Sequence, residues 1–516
     1  MVGEKREGVT TLNIKKQTFL SLILSFFTFA INYGVNFLIT PYVSAHLPGT
    51  YGYVKLANDI IGYAQLITIA LDSMASRFIS IEFNKGNKEK AHQYYCSVMA
   101  ANTIIAAVLI VPMTLAVLNL ELLISIPVES LMDIKILFAF SFFSFLLTIC
   151  FSANSVVTFI LNRLDLSYYI EIIVYIVRAG MLLFLFALMP PHVYYIGLTG
   201  FVVGLITIVG NQFIKVKILP SFRFKSNMVS FQMVWEIVSA GIWNTIQKLG
   251  QILLDGLDLI ISNVLIGTTA MNDLSFAKTM PAIIASLLVK VSSVFMPNYT
   301  ILYAQGKIDE LKKTIKSSMS LLSVIISIPI GIIMAFGLDF YQLWIPNENV
   351  HIVTILSMLS CILYVVSTPM NAVYNLFTVA NKVRPLALVT LASGGVSTIS
   401  VLILVNFTIS GVFAVVCCSV VIGILRNVFF VAPYAAKMLG FPIFTFFPEI
   451  GKSVLSVVIV FIISVLLRTL VPITGWITFF LLCIIVAMLS LIFNVFFFLN
   501  KEQKNKIFNK LQRRSK

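Results

Sequence analysis

Four carboxylates and seven cations stand inside otherwise apolar stretches of this 516-residue chain, and they are the side chains equipped for chemistry. Lys55, Asp59, Asp72 and Arg77 fall in one stretch, Lys248, Asp255 and Asp258 in another, and Lys278 and Lys290 in a third. Arg178 and Arg426 stand apart. An ionisable group at membrane depth costs roughly 3 kcal/mol or more, so it normally faces a protein interior or an aqueous cavity. Cations fixed in such a cavity favour a phosphate or an acidic sugar. Asp255 and Asp258, one helical turn apart, are placed to share a proton or a sodium ion and so couple transport to a gradient, with Asp72 as a third ion-coupling candidate. Interhelical ion pairing is the competing role for Asp72, Arg77, Lys248, Asp255, Asp258 and Lys290. Lys55 and Lys278 have the reach to extend to the membrane surface instead, and packing competes equally for Arg178 and Arg426.

A helical wheel at about 100° per residue adds uncharged partners. On the seventh apolar stretch Asn244, Gln247, Lys248, Gln251, Asp255, Asp258 and Ser262 share one face. Ser25, Thr28, Asn32, Asn36 and Thr40 form a polar stripe on the first. The second puts Lys55, Asp59, Ser73 and Arg77 on one side with Asp72 turned away, and the eighth aligns Lys290 with Ser286 and Ser293 while Lys278 lies elsewhere. The substrate-cavity candidates are therefore Lys55, Asp59, Arg77, Lys248, Lys290, Asn32, Asn36, Asn244 and Gln251, with Arg178, Lys278 and Arg426 as secondary ones.

Hydrolytic, ATP-driven and metal chemistry lack their sequence marks. There is no GxxxxGK[ST] loop, no HExxH and no GxSxG. The six cysteines, Cys96, Cys150, Cys361, Cys417, Cys418 and Cys483, sit in or beside apolar runs without zinc spacing. His46, His92, His192 and His351 fall at loop or helix-end positions, where solvation is the usual role. No catalytic residue, metal or cofactor is expected, and the chain reads as a non-enzyme.

The elements that position these groups are spanning helices. Only 11% of residues are charged and 59% are apolar, with 42 Phe, whereas soluble domains carry about 25% charge. Helices long enough to cross a bilayer are expected near 19–40, 53–80, 92–119, 135–161, 168–189, 193–216, 235–264, 271–299, 314–342, 352–379, 385–406, 411–433, 453–472 and 475–499, fourteen in all. The first is too long for a signal-peptide core and lacks a cleavage site. With a cytoplasmic N-terminus, inner loops and tails collect 27 of the 36 Lys and Arg, and only Lys135 and Arg468 lie near the other face. The net charge of +15 is thus an orientation signal, not a nucleic-acid footprint.

A repeat organises the spans. His46-Leu47-Pro48-Gly49-Thr50, the loop at Asn84-Lys85-Gly86-Asn87 and Val111-Pro112 recur as Val264-Leu265-Ile266-Gly267-Thr268, Gln305-Gly306-Lys307 and Ile328-Pro329. Six helices separate the copies, so both enter from the same side, and transporters with parallel halves bind substrate between them. An all-α polytopic membrane protein is expected: a six-helix lobe over 1–225, a second over 226–440, and two extra helices with a basic cytoplasmic tail over 441–516.

Fourteen spans, the six-plus-six repeat and the Gly-Thr turns together resemble the polysaccharide-lipid flippases of the multidrug/oligosaccharidyl-lipid/polysaccharide exporter (MOP) superfamily, in particular O-antigen and capsule repeat-unit flippases. The stretch that carries the resemblance is Asn36-Phe37-Leu38-Ile39-Thr40-Pro41 through Gly49-Thr50-Tyr51-Gly52, then Met74-Ala75-Ser76-Arg77-Phe78 and the basic loop to Lys90. Its second-half counterpart ends at Pro297, where the first half has Arg77. The resemblance implies a multi-pass protein of the bacterial inner membrane with both termini cytoplasmic. It implies translocation of undecaprenyl-pyrophosphate-linked oligosaccharide by alternating access, with membrane lipid, that substrate and polysaccharide assembly proteins as partners and no nucleic acid. Two departures narrow it. No charge occurs between Lys16 and Lys55, whereas lipid II flippases carry arginines on the first helix, and drug exporters of the superfamily typically stop at twelve helices. The alternatives are a cation-coupled small-molecule exporter and, more distantly, a membrane glycosyltransferase or polymerase.

Overall fold

The computed structural model describes residues 2–161, 163–407 and 411–498, and only the backbone for residues 2–19 and Leu22. The expected basic tail over 501–516 lies outside the described residues. Among the described residues all regular structure is helical. Thirteen helices are long and apolar enough to cross a membrane, and fourteen when a bent pair counts as one span. They run α1 (Ile23–His46), α2 (Tyr51–Ala64 with Leu66–Asn84), α3 (Lys88–Leu118), α4 (Val128–Ile160), α5 (Leu164–Leu188), α6 (Tyr194–Ile218) and α7 (Phe231–Ile266). Then follow α8 (Thr268–Ala304), α9 (Ile308–Trp344), α10 (Val350–Val379), α11 (Val383–Phe407), α12 (Gly411–Met438), α13 (Ile443–Leu470) and α14 (Trp476–Phe498). Leu38, Val108, Phe213 and Ile492 are each more than 60% exposed. In water such surfaces would drive aggregation, and in lipid they are the solvent interface. The chain is a multi-pass membrane protein.

It divides into two compact units, Met1–Leu249 and Gly250–Lys516. The first is built around Leu71, Ile79, Tyr94, Tyr95, Val157 and Phe222. The second has its core in Met319, Leu322, Ile326, Val373, Leu376 and Phe377 on α9 and α10. Lipid tails are as apolar as leucine, so packing and hydrogen bonds must hold helices together. Gly241 of α7 accordingly lies so near the Ala70 carbonyl oxygen that an added Cβ would stand 2.2 Å from it.

The repeat is visible in the turns. Asn87 N–H bonds the Glu82 carbonyl at 2.9 Å and Gly86 N–H that of Phe83 at 3.1 Å. In the second half Lys307 N–H bonds Leu302 at 3.0 Å and Gly306 N–H bonds Tyr303 at 3.1 Å. Both are helix C-caps closed by a left-handed residue, with φ of 89° at Gly86 and 69° at Gly306. Pro112 in α3 and Pro329 in α9 complete the correspondence.

Two expectations of straight helices fail. The second span bends by 64° at Gln65, so Lys55 and Asp59 belong to one rod and Ser73 and Arg77 to another. A single wheel cannot align the four. On α7 the segments Ile252–Gly256 and Ser262–Ile266 are π-helical, and each wide turn rotates every later side chain relative to a uniform 100° step.

Within the second unit the two C-terminal spans pack on α9. Ser456 of α13 donates to Ser327 Oγ of α9 at 2.8 Å, and Asn494 Nδ2 of α14 donates to the same oxygen at 3.2 Å. Arg468 of α13 pairs with Asp339 of α9 at 3.0 Å.

Candidate functional site

Within the first unit, the docking of α7 on α2 brings several of the expected residues together. Asn244 Nδ2 donates to Ser73 Oγ at 3.2 Å, one turn beyond the Gly241–Ala70 contact. Arg77 lies four residues past Ser73 and Lys248 four past Asn244. Each cation is therefore about 6 Å along its own helix axis from the contact. Both are exposed, and neither has a hydrogen bond or ion pair among the described residues. On α5, Arg178 is half-buried, and its Nε is shut off from solvent without an acceptor.

Asp72, the third ion-coupling candidate, turns away as the wheel required and finds polar partners. Asn102 Nδ2 of α3 donates to it at 3.1 Å and Ser152 Oγ of α4 at 3.4 Å, while Asn102 also reaches Ser152 at 2.8 Å. Three helices are tied by one carboxylate. Lys55 Nζ lies 5.9 Å from the centre of the Tyr51 ring, and Asp59 is half-buried. On α1 the polar stripe bonds along its own helix: Asn36 Nδ2 to the Asn32 carbonyl at 3.0 Å, and Thr40 Oγ1 to the Asn36 carbonyl at 2.7 Å.

In the second unit Gln251 Nε2 donates to Asp255 Oδ2 at 3.0 Å. The π segment then separates Asp255 from Asp258, which is buried and ion-paired with Lys278 of α8. Lys278 Nζ also donates to the Asp255 carbonyl oxygen at 2.8 Å. Asp255 lies inside the π turn and Asp258 just beyond it, so the uniform step of about 100° behind their shared face does not hold across this segment. Lys278 points into the unit and does not extend to the membrane surface. Lys290 is half-buried on α8. Arg426 of α12 donates to Tyr374 Oη at 3.2 Å, Tyr374 in turn bonds Asn427, and Asn427 Nδ2 reaches Ser367 at 2.9 Å. The Arg426 Nε is buried without an acceptor.

Several polar groups escaped the sequence reading. Lys215, counted there as a surface charge, is buried and donates to Tyr95 Oη at 3.1 Å. Tyr95 donates to Asn154 Oδ1 at 2.6 Å, and Asn154 to Gln212 at 3.0 Å. His92 is likewise buried, its Nε2 against the Arg223 carbonyl, and His192 pairs with Asp133 at 2.8 Å. Tyr94 donates to Glu236 at 2.6 Å. Extending the search for amides from the first and seventh stretches to every apolar run would have flagged Asn154, and with it the Lys215–Tyr95 knot.

Two charged residues outside the spans, Glu121 and Arg163, pair with residues in the first turns of α4 and α5. The Lys135 ammonium, 2.6 Å from Glu121, holds that exposed carboxyl below its usual range. The Asp165 carboxylate, 3.0 Å from Arg163, raises the guanidinium further above its ordinary value.

No family model matches the chain. It is 24% identical over 460 residues to an uncharacterized membrane protein, EpsK, of Bacillus subtilis (strain 168), covering 87% of this chain and 91% of that one. Among solved structures it superposes on an outward-facing multidrug resistance MATE family transporter of the MOP superfamily. That match has a TM-score of 0.62 and 12% identity and covers 83% of this chain and 96% of that one. It also superposes on a MOP superfamily transporter from Pyrococcus furiosus Vc1, described by the reverse polarity of its binding pocket, with a TM-score of 0.60, 13% identity and the same coverage. The fold is that of MOP superfamily transporters.

Proposed function

We propose that this chain is an alternating-access transporter of the bacterial inner membrane, with both termini cytoplasmic, that translocates an undecaprenyl-pyrophosphate-linked oligosaccharide. The observation that carries the reading is the set of uncompensated cations in the first unit. Arg77, Arg178 and Lys248 stand on spanning helices with no carboxylate partner among the described residues. Burying such charges in lipid costs roughly 3 kcal/mol each or more, so a folded protein keeps them only beside water or an anionic ligand. A pyrophosphate linkage matches that demand, with arginine supplying a forked donor and lysine a compact charge. Asn32, Asn36 and Asn244 offer amides suited to sugar hydroxyls. Of the ion-coupling candidates, Asp258 is ion-paired with Lys278, whereas the hydrogen bonds to Asp72 and Asp255 come from neutral donors, Asn102 with Ser152 and Gln251, and these two are the groups we assign to coupling with a proton or sodium gradient. The MOP transporter fold supports transport as such, α13 and α14 favour saccharide cargo over drugs, and the uncharged first helix speaks against a lipid II cargo.

The test is translocation in vesicles. Purified protein should carry a radiolabelled lipid-linked oligosaccharide across the bilayer, with Arg77→Ala and Lys248→Ala each at least tenfold slower and still inserted and folded. Unchanged rates in both variants would overturn the cargo assignment. Uptake of cationic drugs in place of the saccharide would move the function to small-molecule export. Elongation of the lipid-linked sugar in detergent would make the protein a polymerase.

A further inference from the structure

Between α9, α10 and α13, wholly within the second unit, lies a cavity of about 310 Å³ that the transport reading does not use. Its wall changes character along the helix axes. At one end are His351, near the start of α10, and Arg468, near the end of α13. Seven residues further along each helix, about 10 Å, the lining is Met358 and Phe461, and Met334 of α9 lines the wall as well. A cationic and imidazole rim above an apolar slot is the chemistry of a phospholipid with its headgroup at the membrane surface and an acyl chain along the wall.

The rim presents positive charge outward even though Arg468 has a counter-ion. Asp339 is the more buried partner, its side chain 15% exposed against 40% for Arg468, and the arginine lines the cavity while the aspartate does not. Arg468 directs Nε and Nη2 at the carboxylate, and Nη1 makes only a 3.4 Å contact with the Ala335 carbonyl. Thr354 Oγ1 donates to the Val350 carbonyl at 2.6 Å. Glu348, three residues before His351, accepts from Asn272 at 3.0 Å. The open donors at the mouth are therefore those of Arg468 and His351.

We propose that this slot binds one anionic phospholipid of the bilayer, its phosphate on Arg468 and His351 and one acyl chain between Met334, Met358 and Phe461. A charge-assisted contact at the rim favours an anionic headgroup over a zwitterionic one by about fivefold. The experiment offers the purified full chain equal amounts of dioleoyl phosphatidylglycerol and dioleoyl phosphatidylcholine in detergent and reads retained lipid by native mass spectrometry. Phosphatidylglycerol should be retained about fivefold or more over phosphatidylcholine. That preference should fall to near one in the Asp339→Asn/Arg468→Gln double variant, which removes both charges and keeps the shape. Met358→Trp, which fills the deep end and leaves the rim intact, should lower retention of both lipids. Equal retention by the wild type, or a preference untouched in the double variant, overturns the proposal. So does displacement of phosphatidylglycerol by equimolar undecaprenyl phosphate, which would give the slot to the cargo's own tail. If Met358→Trp does not fold, the near-isosteric double variant decides alone.

Discussion

Replacing Lys278 with methionine keeps the aliphatic stem and deletes the ammonium. Asp258, its side chain 5% exposed, then loses the lysine's charge, and the Asp255 carbonyl in the π turn loses its 2.8 Å donor. Removing one partner of a buried ion pair costs about 3–5 kcal/mol. The lysine is itself 28% exposed and water gains some access in its place, so the lower figure, about 3 kcal/mol, applies. The reciprocal change differs. Asp258→Asn keeps an acceptor for Lys278, whose exposure lets it draw on water, and the loss should be about 1 kcal/mol. Converted at about 2 °C per kcal/mol for a unit of this size, Lys278→Met should lower the melting temperature by about 6 °C and Asp258→Asn by about 2 °C. The Lys278→Met/Asp258→Leu double variant should regain most of the difference. The assay is tryptophan fluorescence of detergent-solubilised protein at one fixed scan rate, since membrane-protein unfolding is commonly irreversible. Equal losses in the two single variants, or additive losses in the double, would refute the claim that the lysine's main task is to neutralise Asp258.

Gly241→Val should destabilise the first unit by about 3 kcal/mol, since even its Cβ meets the Ala70 carbonyl at 2.2 Å; a thermal scan within 1 °C of wild type would show that α7 moves away from α2 at no cost. Asn494→Leu should cost about 1 kcal/mol by removing a donor to Ser327, measured the same way, and a stabilised variant would count against the hydrogen bond. Outside the membrane, Lys135 lowers the Glu121 carboxyl in the folded state. Its contribution is therefore complete above the ordinary glutamate value of about 4.3 and fades as pH falls through the lower native value. Lys135→Met should flatten the acid side of the melting-temperature profile below about pH 5, and an unchanged profile would show that the pair adds nothing.

Span number and the repeat were legible in the sequence because both rest on local rules. A bilayer fixes helix length, and a left-handed C-cap demands residues such as Gly86 and Gly306 at a set place. The all-α polytopic architecture followed directly. The faces of the helices were less legible. A wheel assumes one rotation per residue, and the π turn before Asp258 and the bend at Gln65 violate it with no proline at either place. Partner choice was hidden for another reason. Whether Asp72 meets Asn102 or open water depends on how α2, α3 and α4 pack, which no window of sequence contains. Lys215 shows the same limit, since its place near a helix end marks it as a surface charge until Tyr95 is seen above it.

The hydroxyl of Ser327 donates to the Val324 carbonyl of its own helix at 3.2 Å and accepts from Ser456 and Asn494, which follow it by 129 and 167 residues. A group that is content alone and still has lone pairs to offer lets α9 rest in lipid at little cost while the rest of the polypeptide is being synthesised. The later helices bring the unmet donors, so recognition waits on their arrival and needs no rearrangement of what is already inserted. One hydroxyl on α9 thus serves both C-terminal spans, and a single Ser327→Ala change would leave two donors on two different helices without their acceptor.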